Sequence, residues 1–188
     1  MTKKDDIDFI DSLVKKYPNP YKRGEDKTAF KKYMPLAKKG DAEAQHHIGH
    51  LYHFWHEIAE YSGTSSPLYN SDKYFTENFK ESFKWIKRAA EQGHSAAEWS
   101  LGHYYELPYC GGIYRDIKKA VRWYRRSAKQ GNALGQSSLG RLYLWGSGVT
   151  KNYKKAVEWI RRAAEQGDDE SQTDLGELYE KGQGVQQD

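Results

Sequence analysis

Apolar positions in this chain recur at steps of three and four, the spacing of a helix face rather than the alternation of a strand. Between residues 152 and 167, Ala156, Trp159, Ile160, Ala163 and Ala164 lead to Gly167, a residue suited to a left-handed helix end. The next run opens on acidic residues from Asp168, which favour a helix N-terminus, and carries Leu175, Leu178 and Tyr179 on one face. Gly146-Ser147-Gly148-Val149 and Gly182-Gln183-Gly184-Val185 read as turns. The pattern predicts antiparallel helix pairs joined by short connections.

The pairs repeat. Gly40, Gly93, Gly131 and Gly167 each close a run rich in alanine, and nine residues later stand Gly49, Gly102, Gly140 and Gly176. Ile48, Leu101, Leu139 or Leu175 precedes this second glycine, and Tyr52, Tyr105, Tyr143 or Tyr179 follows it by three residues. Eleven residues before the first glycine lie Ala29, Ser82, Ala120 and Ala156; eight before it lie Trp85, Trp123 and Trp159, with Lys32 in the first unit. Units of 53, 38 and 36 residues give a basic period near 36. Glycine in a helix interior costs roughly 1 kcal/mol relative to alanine. Its recurrence at one offset predicts a neighbouring helix packed close against it, with the periodic tyrosine and tryptophan filling the space between successive pairs.

These residues resemble the Sel-one-like repeat (SLR) family, a relative of the tetratricopeptide repeat. The third unit matches its pattern nearly throughout: Leu139-Gly140, Tyr143, Gly146-Ser147-Gly148-Val149, Lys155-Ala156, Trp159, Ala163-Ala164 and Gly167. The second departs at its turn, Cys110-Gly111-Gly112-Ile113, and the first is degenerate and interrupted. The resemblance covers about residues 29–185. It implies an all-α fold, a right-handed α/α superhelical solenoid of such helix pairs, and a role in assembling protein complexes rather than one reaction. Some secreted relatives staple each pair with a disulfide and are credited with penicillin binding; with Cys110 as its single cysteine, this chain fits that branch poorly.

The expected organisation is an N-terminal capping helix and linker over residues 1–28 and a repeat array over 29–188, with an insertion at about 57–78. Ile7, Ile10, Leu13 and Val14 sit at helical spacing before Pro18 and Pro20 and would cover the apolar edge of the first pair. The last repeat is expected to be incomplete, and its open C-terminal end is a candidate for self-association.

By analogy with the tetratricopeptide groove, the resemblance places partner contacts on the first helix of each pair, between its packing residues. Counting the closing glycine as zero, packing occupies offsets eight, nine, eleven and twelve, which leaves offsets six, ten and thirteen for a concave face. Those positions read His46, His50 and His53; Trp99, His103 and Glu106; Ser137, Arg141 and Leu144; Thr173, Glu177 and Glu180. Packing residues repeat from unit to unit while these vary. The acidic end, Glu177 and Glu180, suits a basic segment of a partner.

Other chemistries are weaker. Five of seven histidines fall between His46 and His56, and neutral imidazoles on one helical face can bind zinc or nickel. No cysteine accompanies them, so solvated imidazoles are the favoured reading, and neither metal nor cofactor is assigned. Basic residues crowd the second helices, among them Lys118, Lys119, Arg122, Arg125 and Arg126, as in a phosphate-binding stripe. The chain's 26 acidic residues dilute that stripe, long cations on an outer helix face are ordinary solubilising residues, and the mild net charge of +4 permits an acidic partner without demanding one, so nucleic acid is not the expected partner. The Gly-x-Gly pairs close helix turns and are not phosphate loops. His103 and Cys110 could be drawn as a nucleophile pair, but Cys110 takes the place of a turn glycine.

Composition agrees with an elongated protein: 37% hydrophobic residues, 30% charged and a mean hydropathy of −0.99. No apolar stretch is long enough to span a membrane, no secretory signal is visible, and a lone cysteine suits a reducing compartment, so a cytoplasmic location is expected. The functional expectation is a non-enzymatic protein-binding scaffold or adaptor that recognises a protein or peptide. Two alternatives are a bacterial immunity protein that neutralises a toxin and a metal-dependent enzyme built on the His46–His56 cluster.

Overall fold

A computed structural model of the chain describes residues 23–61, 73–108 and 112–184, with side chains described for 29–53, 79–108 and 112–184. The helix expected over residues 5–17, the insertion loop around 62–67 and Cys110 lie outside the described residues. The described residues form eight helices: α1 (Arg23–Lys38), α2 (Ala42–Tyr61), α3 (Lys73–Glu91), α4 (Ser95–Glu106), α5 (Ile117–Lys129), α6 (Ala133–Trp145), α7 (Tyr153–Ala164) and α8 (Asp169–Glu180). The chain divides into two compact parts, residues 1–85 and 86–188, each with its own packing.

In the first part α1 packs on α2. Phe30, Met34 and Ala37 from α1 meet Ala44, Ile48 and Tyr52 from α2, and Trp85 joins the same cluster. Phe30 stands edge-on to Tyr52, ring centroids 6.1 Å apart. Phe30 and Met34 supply the bulk that Lys32, at the tryptophan offset, does not. The Ser82 hydroxyl donates to the Gly49 carbonyl at 2.6 Å, a contact that a small residue at that offset permits. Helix α1 starts at Arg23, so the array expected from residue 29 begins inside a helix. Likewise α2 runs on to Tyr61 and α3 opens at Lys73, so part of the expected insertion lengthens these two helices.

In the second part α4 pairs with α5, and α6 with α7, while α8 packs on α7. Each start has a cap: Asn132 Oδ1 accepts from the Gly135 amide at 2.9 Å, Asn152 Oδ1 from Lys155 at 2.9 Å and Asp116 Oδ1 from Lys119 at 3.0 Å. The ends close as the sequence suggests. Gly131 and Gly167 adopt φ of 87° and 90°, and the next residues, Asn132 and Asp168, donate back to the carbonyls of Ser127 and Ala163.

Two mid-helix glycines of this part, Gly102 and Gly140, permit close approach, whereas a Cβ on Gly176 would meet nothing within 4 Å. A Cβ on Gly102 would lie 2.6 Å from the Tyr124 ring, and one on Gly140 would lie 2.6 Å from the Ile160 side chain and 3.1 Å from its backbone nitrogen. Ala120, Val121, Tyr124, Leu139 and Leu142 form one buried cluster; Ala156, Val157, Ile160 and Leu178 form the next. Of the periodic aromatics, Tyr52 and Trp85 are buried in the first part, as expected. Tyr105, Tyr143, Trp123 and Trp159 are half-buried rather than central. In the second part these rings sit at the rim, where Tyr105, Tyr143 and Trp159 pack against the cluster of Ala120 and Leu139. There a cation covers each: Arg126 on Trp123 and Arg162 on Trp159, both at 4.8 Å, and Lys155 on Tyr143 at 5.3 Å.

Candidate partner-binding face

The expected binding positions lie on α2 in the first part and on α4, α6 and α8 in the second. On α2, the Nε2 atoms of His46 and His50 approach to 3.0 Å, one turn apart, so one imidazole donates to the other. Their rings stand edge to face. His53 is half-buried with its ring 6.4 Å from Phe79. His47, outside the expected set, stacks on Tyr33 and lies 3.0 Å from Glu43. Among the described residues no group of three or more His, Cys, Asp or Glu is arranged to hold a metal ion.

On α4, Trp99 is half-buried; its indole N–H donates to the Ser138 hydroxyl on α6 at 3.0 Å, and its ring lies nearly parallel to that of the exposed His103. The hydrogen bond fixes the indole plane, and an anchored aromatic loses little entropy when a partner covers it. Glu106 accepts the Tyr124 hydroxyl proton at 2.6 Å, so part of its hydrogen-bonding capacity already serves the α4–α5 contact. Burial, followed by the Glu106 bond and charge, pushes the Tyr124 phenol above its ordinary range.

On α6 the expectation needs correction. Ser137 is buried, and its hydroxyl accepts from Ser171 of α8 at 2.9 Å, so it belongs to the helix-packing contact and offers a partner no surface. Arg141 is half-buried and bridges to α8, with Nε donating to Asp174 at 2.7 Å and Nη1 to Glu170 at 2.6 Å. Leu144 is half-buried against the Ile160 cluster. Next to it, Trp145 is 62% exposed, more than any other tryptophan whose side chain is described. The three chosen offsets skip Trp145, and its position carries Leu107 and Lys181 in neighbouring repeats. An indole ending a first helix, at a position that reads Phe54 in the first repeat and Leu107 and Lys181 in the other two, was the available signal.

Helix α8 is acidic, with five carboxylates in twelve residues. Thr173 is exposed and bonds back to the Asp169 carbonyl; Glu177 pairs with Lys181 at 2.7 Å; Glu180 is exposed. The Lys181 ammonium beside Glu177 holds that carboxyl below the usual range.

Glu98 also escaped the sequence reading. It is fully buried near the start of α4, with Arg126 at 2.7 Å and Gln130 donating to it at 2.6 Å. Burial pushes its carboxyl up, and Arg126 and Gln130 only partly counter that. Aligning the repeats exposes the exception: the same offset reads Gln45, Gln136 and Gln172.

The arrangement offers aromatic anchors, hydrogen-bonding groups and a charge that changes along the helices, which are the means of protein recognition. The Sel1 repeat model matches residues 69–94, 95–132, 133–168 and 169–188, more than half of the chain. Among solved structures, a Sel1 repeat protein from Oxalobacter formigenes is 35% identical, over 80% of this chain and 54% of its own, with a TM-score of 0.62. The protective antigen c5321 of uropathogenic Escherichia coli, described as an SLR fold, is 28% identical over 84% of this chain and 38% of its own, TM-score 0.55. Cysteine-rich protein B of Helicobacter pylori, 19% identical over 80% of this chain and 95% of its own with a TM-score of 0.51, shares the fold. The chain spans about half the length of the first of these and less of the second. No curated protein matches. Eight helices among the described residues, paired at the period of those four matches and superimposable on these structures, make an all-α helical repeat solenoid, and the chain belongs to the Sel1 repeat family, whose repeats are generally protein–protein interaction modules.

Proposed function

We propose that this protein is a non-catalytic scaffold that captures a protein or peptide along the first helices of its pairs. The observation that carries the reading is a contrast between two sets of positions. Leu101 and Leu139, Gly102 and Gly140, and Ala120 and Ala156 are buried and chemically identical from one repeat to the next. The surface positions beside them are private: His103, Arg141 and Glu177 share one offset, and Leu107, Trp145 and Lys181 share another. A shared scaffold with an individual surface is how one repeat fold serves different partners.

Within this reading the binding set is His46, His50 and His53 on α2, and Trp99, His103, Leu144, Trp145, Thr173, Glu177 and Glu180 in the second part. Arg141 and Glu106 hold the helices that present them. An aromatic anchor at one end and carboxylates on α8 suit a segment with an apolar side chain and basic neighbours. The test is affinity purification with mass spectrometry, using the wild type and the variant His103→Ala/Trp145→Ala. Both residues are exposed, so the variant should melt like the wild type and lose the partner that the wild type retains. Retention of the same partner at the same yield would show that the face is misassigned.

A further inference from the structure

The second helices carry a difference between repeats that the first-helix reading does not use. On α5, Lys118, Arg122, Arg125 and Lys129 are all exposed and follow one another at steps of four, three and four. They form one row along the helix, about 16 Å long at 1.5 Å per residue. The helix has six basic residues and no acidic one. Its two ion pairs use the other cations: Lys119 with Asp116 and Arg126 with Glu98. Arg125 reaches the Tyr143 hydroxyl at 3.4 Å, a neutral contact that leaves its charge uncompensated. Among the described residues, no carboxylate pairs with the row.

The same offsets on the other second helices are different. On α7 they read Lys154, Glu158, Arg161 and Glu165, alternating in sign, and Glu158 holds Arg162 at 3.0 Å. On α3 they read Lys80, Lys84, Lys87 and Glu91, where Lys84 is paired with Glu81 and Lys87 with Glu91. Repulsion between like charges one turn apart is unfavourable by a few tenths of a kcal/mol per pair, and one acidic substitution relieves it. The neighbouring repeats contain that relief and α5 does not.

We propose that the α5 row is a docking surface for an acidic protein segment, a helix whose carboxylates are spaced to match the four cations. This surface is separate from the first-helix face and stands whether or not that reading holds. A nucleic acid fits less well for two reasons. A phosphate backbone would run past one helix, and on α7 it would meet Glu158 and Glu165. Base stacking needs free aromatic faces, whereas Trp123 and Trp159 are each covered by their own arginine.

The test uses fluorescence anisotropy with labelled helical peptides of about twelve residues, long enough to span the row. One carries glutamate at positions matching the row and the other carries glutamine there. The Glu peptide should bind the wild type, more weakly as salt rises through roughly 150 mM, and the Gln peptide should bind at least about tenfold more weakly. Lys118→Glu/Arg122→Glu should lose about tenfold for the Glu peptide, as should the milder Arg122→Gln/Arg125→Gln; Lys154→Glu/Arg161→Glu, with the same change in net charge as the first, should lose less than about threefold. The far-UV spectrum and melting temperature of each variant, all changed at exposed sites, should match the wild type. The proposal is overturned if the two peptides bind equally or not at all, or if the α7 variant loses as much as the α5 variants. It is also overturned if a single-stranded oligonucleotide of similar length binds tighter than the Glu peptide at roughly 150 mM salt.

Discussion

Arg126 reaches from α5 to the fully buried carboxylate of Glu98 on α4 and holds it at 2.7 Å. Elsewhere the same offset is a glutamine whose amide donates to the preceding helix: Gln45 to the Ala37 carbonyl, Gln136 to Ala128 and Gln172 to Ala164. A carboxylate cannot make that donation. Glu98 is instead an acceptor held by Arg126 and Gln130, and the α4–α5 contact depends on a charge pair where its neighbours depend on an amide.

Removing one partner of this pair should therefore cost more than removing the charge itself. Arg126→Ala strands a buried carboxylate and should destabilise by about 2–3 kcal/mol, whereas Glu98→Gln should be neutral or stabilising. The sign with pH follows from the raised Glu98 carboxyl. The folded state holds the proton more tightly than the unfolded one, so this group's contribution is most favourable at low pH and is lost as pH rises from the ordinary carboxylate value through the raised one. Urea unfolding should find the advantage of Glu98→Gln larger near about pH 7 than near about pH 4. An advantage that grows on acidification would contradict the assignment.

Asp168 titrates the opposite way. It caps α8 by accepting from the Ser171 amide at 2.8 Å. Burial pushes its carboxyl up, but hydrogen bonds from Ser171 and Ser137 and the charge of Arg141 outweigh that and hold it below the usual range. Its contribution is present above the ordinary carboxylate value and is lost as pH falls through the depressed one. Asp168→Ala should cost about 1 kcal/mol near neutrality and progressively less in acid, measured by the same unfolding curves.

The glycines supply a paired test of close packing. A Cβ on Gly140 would be driven into Ile160 and within 3.3 Å of the Ala156 carbonyl, while one on Gly176 would meet nothing within 4 Å. Gly140→Ala should cost about 1–3 kcal/mol by overpacking. Gly176→Ala should gain about 0.5–1 kcal/mol from helix propensity. Thermal melting of the two variants distinguishes them, and equal effects would show that these glycines do not mark helix contacts.

Much of this was legible because helix pairing leaves a strong periodic imprint. The closing glycines Gly131 and Gly167, the close approach at Gly102 and Gly140 and the pair boundaries all follow from spacing alone. Less legible was which chemistry fills a given offset. Phe30 and Met34 fill the first core where the repeat pattern offered Lys32, because packing needs volume and not a particular residue. Ser137 turned inward because a small hydroxyl at a helix contact meets Ser171, and offset counting cannot tell a groove wall from a packing seam half a turn away. Trp145 was missed because it lies one residue beyond the last offset considered, and Glu98 because its role depends on Arg126 in the following helix.

Arg141 separates presentation from binding. It ties α6 to Asp174 and Glu170 of α8 and is largely covered by them. Arg141→Ala should lower stability by about 1 kcal/mol, with the loss shrinking in high salt because Glu170 is exposed. Partner affinity should fall less than for Trp145→Ala, which should leave stability unchanged. Melting curves at low and high salt, set beside titrations with a captured partner, give both readouts.

The central claim, that the private positions of the first helices receive the partner, is tested most directly by hydrogen–deuterium exchange of the chain with and without its captured partner. The account predicts slowed exchange in peptides covering α4, α6 and α8, strongest toward Trp145 and Glu180. Slowed exchange confined to α5 and α7, with the first helices unchanged, would contradict it.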